Sequence, residues 1–220
     1  MILGISASGR TSTRNECDTL IKGVTEEMVK YVLRNTGEPF EYISLNSKKI
    51  LGCQGCLKCA SNNVCVLDDD WAEIRDKMFE AEAVVFGAPV YYGQINAIGH
   101  AFLERTFSLR HRETFKLTGK PNVIITAGTD QSNPAEDYIK MMFRGNYMTP
   151  PIGTLRVRGV SQCLTCGFGQ TCAAGSVVGR YGYLKEIKDE HFNRIPEESY
   201  NRANLIAKRL GSIVRSNRKK

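Results

Sequence analysis

Five short apolar segments recur along the chain, each separated from the next by a stretch with helical periodicity. They span residues 1–6, 40–45, 83–90, 121–127 and 152–158, and most of them are continuously apolar. Strands of this kind are buried on both faces, which is typical of a parallel sheet covered by helices. No internal repeat or linker composition interrupts the alternation. The sequence therefore predicts one doubly wound α/β domain over residues 1–220, built on a five-stranded parallel sheet.

Apolar residues at helical spacing predict the helices between these strands. The first is expected over residues 15–34, because Thr13 and Glu16 have capping-box spacing and Gly37 and Pro39 follow its end. The other predicted helices are one capped by Asp69 or Asp70 with Trp71 facing the core, and those over 94–109, 134–147 and 196–215. Two long segments, 46–68 and 159–195, break the alternation. Loops of that length are usually functional.

Composition narrows the class of protein. The 220 residues are 42% hydrophobic and 24% charged, as in ordinary globular proteins. The net charge is +7, but residues 196–220 alone hold seven basic and two acidic side chains, and no nucleic-acid-binding motif accompanies them. We therefore expect a solvated basic end rather than a nucleic-acid site. No apolar run reaches the length of a membrane span, and Met1 leads directly into the first strand, so we expect a cytoplasmic protein.

A hydroxyl-rich loop, residues 6–15, follows the first strand. It contains Ser6, Ser8, Arg10, Thr13 and Asn15. Backbone N–H groups and an arginine at the start of a helix favour an anion. The loop has neither the glycine pattern of a dinucleotide site nor the Gly-Lys-Ser/Thr ending of an NTPase loop. It fits the phosphate of flavin mononucleotide (FMN), and the alternative is a helix cap with surplus serines.

Small residues follow the third and fourth predicted strands, at the same expected edge of the sheet. One turn runs from Ala88 to Gly93 through Pro89, Val90, Tyr91 and Tyr92, and the other contains Ala127, Gly128 and Thr129. Doubly wound sheets bind ligands at the carboxyl ends of their strands. Backbone amides in such turns can approach a planar ring closely, and a tyrosine can lie along its edge. The alternative is two ordinary turns with packing tyrosines.

Eight cysteines are the strongest chemical signal. Cys53, Cys56, Cys59 and Cys65 form a compact C-x2-C-x2-C-x5-C run. Four thiolates of one short loop can bind an iron–sulfur cluster, whereas zinc ribbons separate two C-x2-C pairs by a longer span. Disulfides are disfavoured in a reducing compartment. We favour a cluster over zinc or free thiols.

A second group consists of Cys163, Cys166 and Cys172, set among glycines. Three hypotheses fit it. It forms a second metal site completed by a residue such as Cys17 or His191, or by a neighbouring subunit. Alternatively, it contains a redox-active thiol pair, or its members are inert buried thiols. The three histidines, His100, His111 and His191, have no acid or nucleophile at suggestive spacing and are assigned to packing or solvation.

These motifs together resemble the iron–sulfur flavoproteins, anaerobe and archaeal relatives of the NADPH-dependent FMN reductases. The matching segments are Gly4–Arg10, the cysteine run followed by Asp68–Asp70, and Ala88–Gly93 leading to Ala101–Arg105. The resemblance covers roughly residues 1–130. It implies a flavodoxin-like fold, one FMN and one 4Fe–4S cluster per subunit, and a homodimer or homotetramer.

Carried over by position, the resemblance gives three groups of site residues. Ser8, Arg10 and Asn15 would hold the phosphate, with Ser6 and Thr13 beside them. The flavin would be bordered by Pro89, Val90, Tyr91, Tyr92, Gly93, Ala127 and Gly128. The cluster would be bound by Cys53, Cys56, Cys59 and Cys65.

The expected function is electron transfer by an FMN-dependent oxidoreductase that links a one-electron donor, such as ferredoxin, to a two-electron acceptor. The cofactors would carry the chemistry and the protein would position them, so no catalytic side chain is predicted. One alternative is an NAD(P)H-dependent FMN or quinone-type reductase with a structural or vestigial cysteine loop. Another is a metal-stabilised redox sensor. Neither membrane nor nucleic-acid partners are expected.

Overall fold

Five parallel strands form the central sheet, where the apolar segments predict them. The structure is a computed structural model that describes residues 1–112, 114–128 and 134–219. The strands are β1 (Ile2–Ser6), β2 (Phe40–Ser44), β3 (Ala83–Tyr91), β4 (Asn122–Gly128) and β5 (Gly153–Arg158). Their spatial order is β2-β1-β3-β4-β5, and every neighbouring pair is parallel. This is the flavodoxin-like order. The predicted α/β fold with a doubly wound five-stranded sheet is confirmed.

Helices cover both faces of the sheet. They are α1 (Val24–Arg34), α2 (Trp71–Glu80), α3 (Ala97–Arg105), α4 (Pro134–Gly145), α5 (Ser176–Tyr181) and α6 (Glu197–Asn217). Helices α1 and α6 share one apolar core with the sheet, and α2, α3 and α4 share the other. Because side chains alternate along a strand, β1, β3 and β4 supply residues to both cores. Phe86, for example, stacks on Phe102 of α3 with 5.4 Å between ring centroids.

Helix α1 begins at Val24, nine residues later than the predicted start at residue 15. Residues 13–14 instead pair with residues 20–22 in a small antiparallel hairpin, and Gly23 precedes the helix. The side chain of Thr13 donates to the carbonyl of Thr11 at 3.2 Å, so it does not cap a helix. The predicted helix over 94–109 is also shorter. A short strand at Gln94–Ile95, which pairs antiparallel with β3, comes before helix α3. A 3-10 turn at Thr106–Leu109 follows the helix.

The basic residues described at the end of the chain are exposed, as expected. Two of them, Arg215 and Arg218, also form ion pairs with Glu38. The segment 46–68 contains one short 3-10 turn at Lys58–Ala60, and the segment 159–195 contains α5.

Within the described residues, no helix is long and apolar enough to cross a membrane.

Candidate functional site

A cleft of about 920 Å³ opens at the carboxyl ends of β1, β3, β4 and β5. Its volume is in the range of small-molecule and cofactor sites. It lies where the strand order reverses between β1 and β3, which is where doubly wound sheets bind ligands. The residues predicted for the flavin that line it are Ser8, Arg10, Pro89, Val90, Tyr91, Tyr92, Gly93, Ala127 and Gly128. Residue 129, also predicted there, lies outside the described residues, as do residues 130–133.

The loop after β1 folds around the hydroxyl of Ser8. This hydroxyl donates to the carbonyl of Arg10 at 2.7 Å and accepts from the Arg10 N–H at 3.2 Å. The guanidinium atom Nη1 of Arg10 is buried and has no hydrogen-bond partner among the described residues. A buried cationic donor without a partner is costly. An anion at this end of the cleft would supply the missing acceptor.

The N-terminus of α1 forms the adjoining part of the cleft, through Gly23, Val24 and Thr25. The first N–H groups of a helix have no intrahelical acceptor and therefore suit a phosphate. Gly23 has a left-handed φ of 77°, and a Cβ on it would lie 2.4 Å from the backbone N of Ser12. The sequence interpretation missed these residues. The sequence does contain a pattern that indicates this helix start. Gly23 is followed by Glu26 and Glu27, and acidic residues are common in the first turn of a helix.

Three of the predicted phosphate residues lie away from the cleft. The buried hydroxyl of Ser6 accepts from the Ser8 N–H at 3.2 Å, so it shapes the loop from behind. Thr13 belongs to the hairpin that replaces the expected helix start. Asn15 forms its hydrogen bonds elsewhere: its Oδ1 accepts from Thr19 N at 2.9 Å in the same hairpin, and its Nδ2 donates to the distant Asp189 carboxylate. Thr13 and Asn15 therefore do not line the cleft in this structure, and their role at the phosphate stays a prediction.

A tight turn at the end of β3 forms another wall. Tyr92 and Gly93, at φ 52° and 78°, connect Tyr91 to Gln94 as a two-residue hairpin. Consecutive left-handed residues suit such turns, where Asn-Gly is the commoner choice. The ring of Tyr92 is fully exposed and Tyr91 is partly so. The turn thus presents aromatic surface and main chain at the mouth of the cleft.

The segment 159–195 supplies the remaining wall, which the sequence interpretation did not anticipate. Ser161, Cys163, Ser176, Arg180 and His191 are among its cleft residues. A hydrogen bond from the Ser176 hydroxyl is the largest of the effects that lower the pKa of the Cys163 thiol. Cys166 and Cys172 are exposed.

The first cysteine run lies at a different place. Cys53, Cys56, Cys59 and Cys65 all line one small cavity, which has no lining residue in common with the cleft among the described residues. Burial raises the pKa of the Cys59 thiol, and the nearby Cys65, Cys53 and Cys56 raise it further. The sulfur atoms of Cys65, Cys53 and Cys56 therefore lie near the sulfur of Cys59.

His111 is a neighbour of this cavity that the sequence interpretation assigned to packing or solvation. Its Nε2 lies 3.1 Å from the Sγ of Cys59. Asn63 holds the histidine main chain, because its Oδ1 accepts from His111 N at 2.7 Å and its Nδ2 donates to His111 O at 3.3 Å. The sequence could not predict this contact, because 52 residues separate His111 from Cys59.

A buried ion pair fixes the base of the cysteine loop. The side chains of Asp69 and Arg105 are both fully buried and are joined at 2.5 Å. Asp69 also accepts from the N–H of Leu51 at 2.9 Å, and Arg105 donates to the carbonyl of Leu51 at 3.0 Å. At the other end of α3, Asn96 Nδ2 donates to the carbonyl of Ala7 at 2.6 Å. Helix α3 therefore contacts both the cysteine loop and the loop of Ser8 and Arg10.

A single metal ion does not fit the cysteines as they are placed. Across the part of the chain that the structure describes, no three His, Cys, Asp or Glu side chains form a group that could hold one ion. A zinc site needs its thiolates about 2.3 Å from one point. In an iron–sulfur cluster each thiolate binds a different iron, so the sulfurs can lie farther apart. Four thiols around one cavity would suit such a cluster, whereas the described residues show no group of ligands at Cys163, Cys166 and Cys172 that would support a second metal site.

The family model for NADPH-dependent FMN reductases matches residues 1–159, which include the sheet, the loop after β1 and the cysteine run. The chain belongs to this family. Curated relatives place it more narrowly, among the iron–sulfur flavoproteins. The one from Methanosarcina thermophila is 30% identical over 139 residues, which are 63% of this chain and 69% of that protein.

Two iron–sulfur flavoproteins of Archaeoglobus fulgidus show how far the similarity extends. One is 30% identical over 118 residues, and the match spans 54% of each chain. Another is 26% identical over 215 residues, covering 96% of this chain and 94% of its own, so its match includes the segment 159–195. The resemblance inferred from the motifs is confirmed, and with it the class of FMN-dependent oxidoreductase.

Solved structures confirm the fold at lower identity. RosB, whose structure holds 8-demethyl-8-formylriboflavin-5'-phosphate, has a TM-score of 0.63 at 12% identity and covers 100% of this chain and 80% of its own. A flavodoxin from the domain Archaea has a TM-score of 0.52 at 11% identity and covers 98% of this chain and 99% of its own.

Proposed function

We propose that the protein is an electron-transfer flavoprotein with FMN in the cleft and one 4Fe–4S cluster on Cys53, Cys56, Cys59 and Cys65. It would connect a one-electron donor of the ferredoxin type to a two-electron acceptor. The observation that carries the proposal is that four thiols surround one cavity, separate from the cleft, in a chain of an FMN reductase family. Two sites of different redox chemistry in one chain suit this role.

The protein's part in this function is binding and positioning. Arg10 and the N-terminus of α1 would neutralise the flavin phosphate, and the Ser8 hydroxyl keeps the loop in shape. The turn 90–93 and the small residues Ala127 and Gly128 would border the flavin. Bound FMN accepts one or two electrons, and a cluster accepts one. The main chain of Leu51, which is held by Asp69 and Arg105, and the contact between His111 and Cys59 would orient the cluster ligands.

Anaerobic purification tests the proposal. We expect a yellow-brown protein that contains FMN and about four iron and four sulfide per chain, as one cubane requires. Stoichiometric zinc with no iron would contradict the cluster, and absence of flavin would contradict the use of the cleft. The visible absorbance of the flavin would then be recorded while chemically reduced ferredoxin is added. Rapid reduction of the flavin would support the proposed donor.

A second candidate is an NAD(P)H-dependent reductase of FMN or quinones in which the cysteine loop is structural. The description of the matched family favours it. The exposed side chains of Arg158 and Arg180, on the outer wall of the cleft, leave positive charge for a second anionic ligand. Reduction of the flavin by NAD(P)H, with none by reduced ferredoxin, would favour this candidate. In either case we expect a homodimer or homotetramer.

A further inference from the structure

Cys163 lies on the cleft wall, and the proposed function does not use it. Its backbone N–H donates to the Ser161 hydroxyl at 3.3 Å, and the Ser161 and Ser176 hydroxyls are 2.6 Å apart. Cys163 and both serines line the cleft, and the cysteine is half-buried. The cysteine is therefore fixed beside two hydroxyl groups at a position that small molecules in the cleft can reach.

The surroundings of this thiol favour its reactive form. The Ser176 hydroxyl, and then the N–H groups of Ser176 and Val177 and the Ser161 hydroxyl, lower its pKa against the opposing effect of burial. The thiolate is the nucleophile in thiol chemistry. Cys17 provides a contrast, because a hydrogen bond with Asp189 raises the pKa of its thiol although the residue is exposed.

Cys166 is placed to act as a partner of Cys163. Its Sγ lies 3.5 Å from the main-chain carbonyl of Cys163, and the Phe168 N–H donates to that sulfur at 3.4 Å. The sulfur therefore folds back over residue 163 within a single turn. The two residues have the Cys-x-x-Cys spacing of thiol–disulfide motifs. Cys172 lies in the next turn, where its N–H donates to the Phe168 carbonyl at 3.0 Å.

We propose that Cys163 and Cys166 form a redox-active dithiol that reduces small-molecule disulfides, and that reduced flavin in the same cleft regenerates it. The regeneration rests on the proposed flavin site, whereas the thiol chemistry does not. Of the three hypotheses for this cysteine group, the arrangement of its residues supports the thiol pair.

The electrons and atoms balance in three steps. The Cys163 thiolate attacks one sulfur of the disulfide, so that a mixed disulfide forms and one thiol leaves. Cys166 then attacks the sulfur of Cys163, which releases the second thiol and leaves a protein disulfide. Two electrons and two protons from a reduced flavin return the protein disulfide to the dithiol, and the flavin is left oxidised.

Thiol mapping with hydroxyethyl disulfide tests the first two steps. Trypsin releases residues 159–180 as one peptide that contains these three cysteines and no others. In the wild-type protein we expect a Cys163–Cys166 disulfide, and in Cys166→Ser a mixed disulfide on Cys163. Cys163→Ser should lower at least tenfold the rate at which the cysteines of residues 159–180 react with hydroxyethyl disulfide in the folded protein. The matched control Cys172→Ser should leave this rate unchanged. Equal reaction of Cys17, or a link from Cys163 to Cys172, would overturn the assignment.

Photoreduction tests the return of electrons. The oxidised wild-type protein is illuminated anaerobically with EDTA, which reduces bound flavin, and the peptide is mapped again. We expect the disulfide to open in the wild-type protein and to persist in flavin-depleted Arg10→Glu. A reduced flavin beside an intact disulfide would overturn the inference. A wild-type protein without flavin would instead contradict the proposed function, while the mapping experiment would still decide the thiol chemistry.

Discussion

At the scale of single residues, Arg10 makes the sharpest prediction about the cleft. Its buried Nη1 has no partner among the described residues, so it is placed to attract an anion. Arg10→Glu puts a negative charge beside the phosphate and should lower the FMN content of purified protein by at least tenfold, measured by absorbance near 450 nm against protein. Arg209→Glu, on the exposed face of α6, is the matched control. A variant that keeps its full FMN content would show that the phosphate binds elsewhere.

Cys56 makes the corresponding prediction for the cysteine cavity. It is exposed and lines that cavity, which is separate from the cleft. Cys56→Ala should lose most of the iron and sulfide because a cluster requires its four thiolates, while FMN stays bound. Cys17→Ala, at another exposed cysteine, should keep both. Metal analysis and flavin absorbance measure the two contents, and unchanged iron in Cys56→Ala would exclude this residue as a ligand.

At the scale of elements, the start of α1 couples the helix to the loop before it. A Cβ on Gly23 would strike the backbone of Ser12, whereas a Cβ on Gly9 would meet nothing within 4 Å. Gly23→Ala should therefore lower the free energy of unfolding by more than about 2 kcal/mol and weaken FMN binding. Gly9→Ala should change stability by less than about 0.5 kcal/mol. Urea unfolding and FMN titration measure both, and similar results for the two variants would contradict the close contact.

Sequence patterns predict the elements of the sheet better than they predict the boundaries of α1. The five strands were found because continuous apolar segments have few alternatives to a buried position. The helix start was misplaced because Thr13 and Glu16 have capping-box spacing without forming one. The hairpin that replaces it depends on residues far away, among them Asp189, which accepts from Asn15. Local spacing carries no information about such a contact.

At the scale of the whole molecule, a carboxylate at the start of β3 joins the two ends of the chain. Glu82 forms ion pairs with the Met1 ammonium and with Arg218. The hydrogen bond from Arg218 is the largest effect on Glu82 and holds its pKa at about 2, below its ordinary value of 4.5. A lowered carboxyl pKa stabilises the folded state above pH 4.5, and this contribution is lost as the pH falls from 4.5 towards 2.

Glu82→Gln tests this linkage. At pH 7 the variant should be less stable than the wild type by about 1 kcal/mol, since the pair is partly exposed and screened. At pH 2 most of this contribution should be lost, so the two proteins should unfold at nearly the same urea concentration. Glu80→Gln, an exposed neighbour at the end of α2, is the control that should show no such pH-dependent difference. A constant difference between Glu82→Gln and wild type from pH 7 to pH 2 would refute the linkage.

The two candidate sites were predictable from the sequence to different extents. The cysteine run could be found because its members are neighbours in the chain, and Ser8, Arg10 and the turn 89–93 because ligands bind at strand ends. The wall formed by residues 159–195 and the contact of His111 with Cys59 depend on tertiary packing across long stretches of sequence. No spacing in the chain reports those distances.

Helix α3 has a consequence for the rate at which electrons could pass through one chain. It is tied to the loop of Ser8 and Arg10 through Asn96 and to the base of the cysteine loop through Arg105. Its nine residues span about 14 Å, and a helix of that length does not stretch. The helix therefore keeps the contacts made by Asn96 and Arg105 at a constant separation. Electron passage along this route would need no hinge motion, and its rate should be insensitive to solvent viscosity.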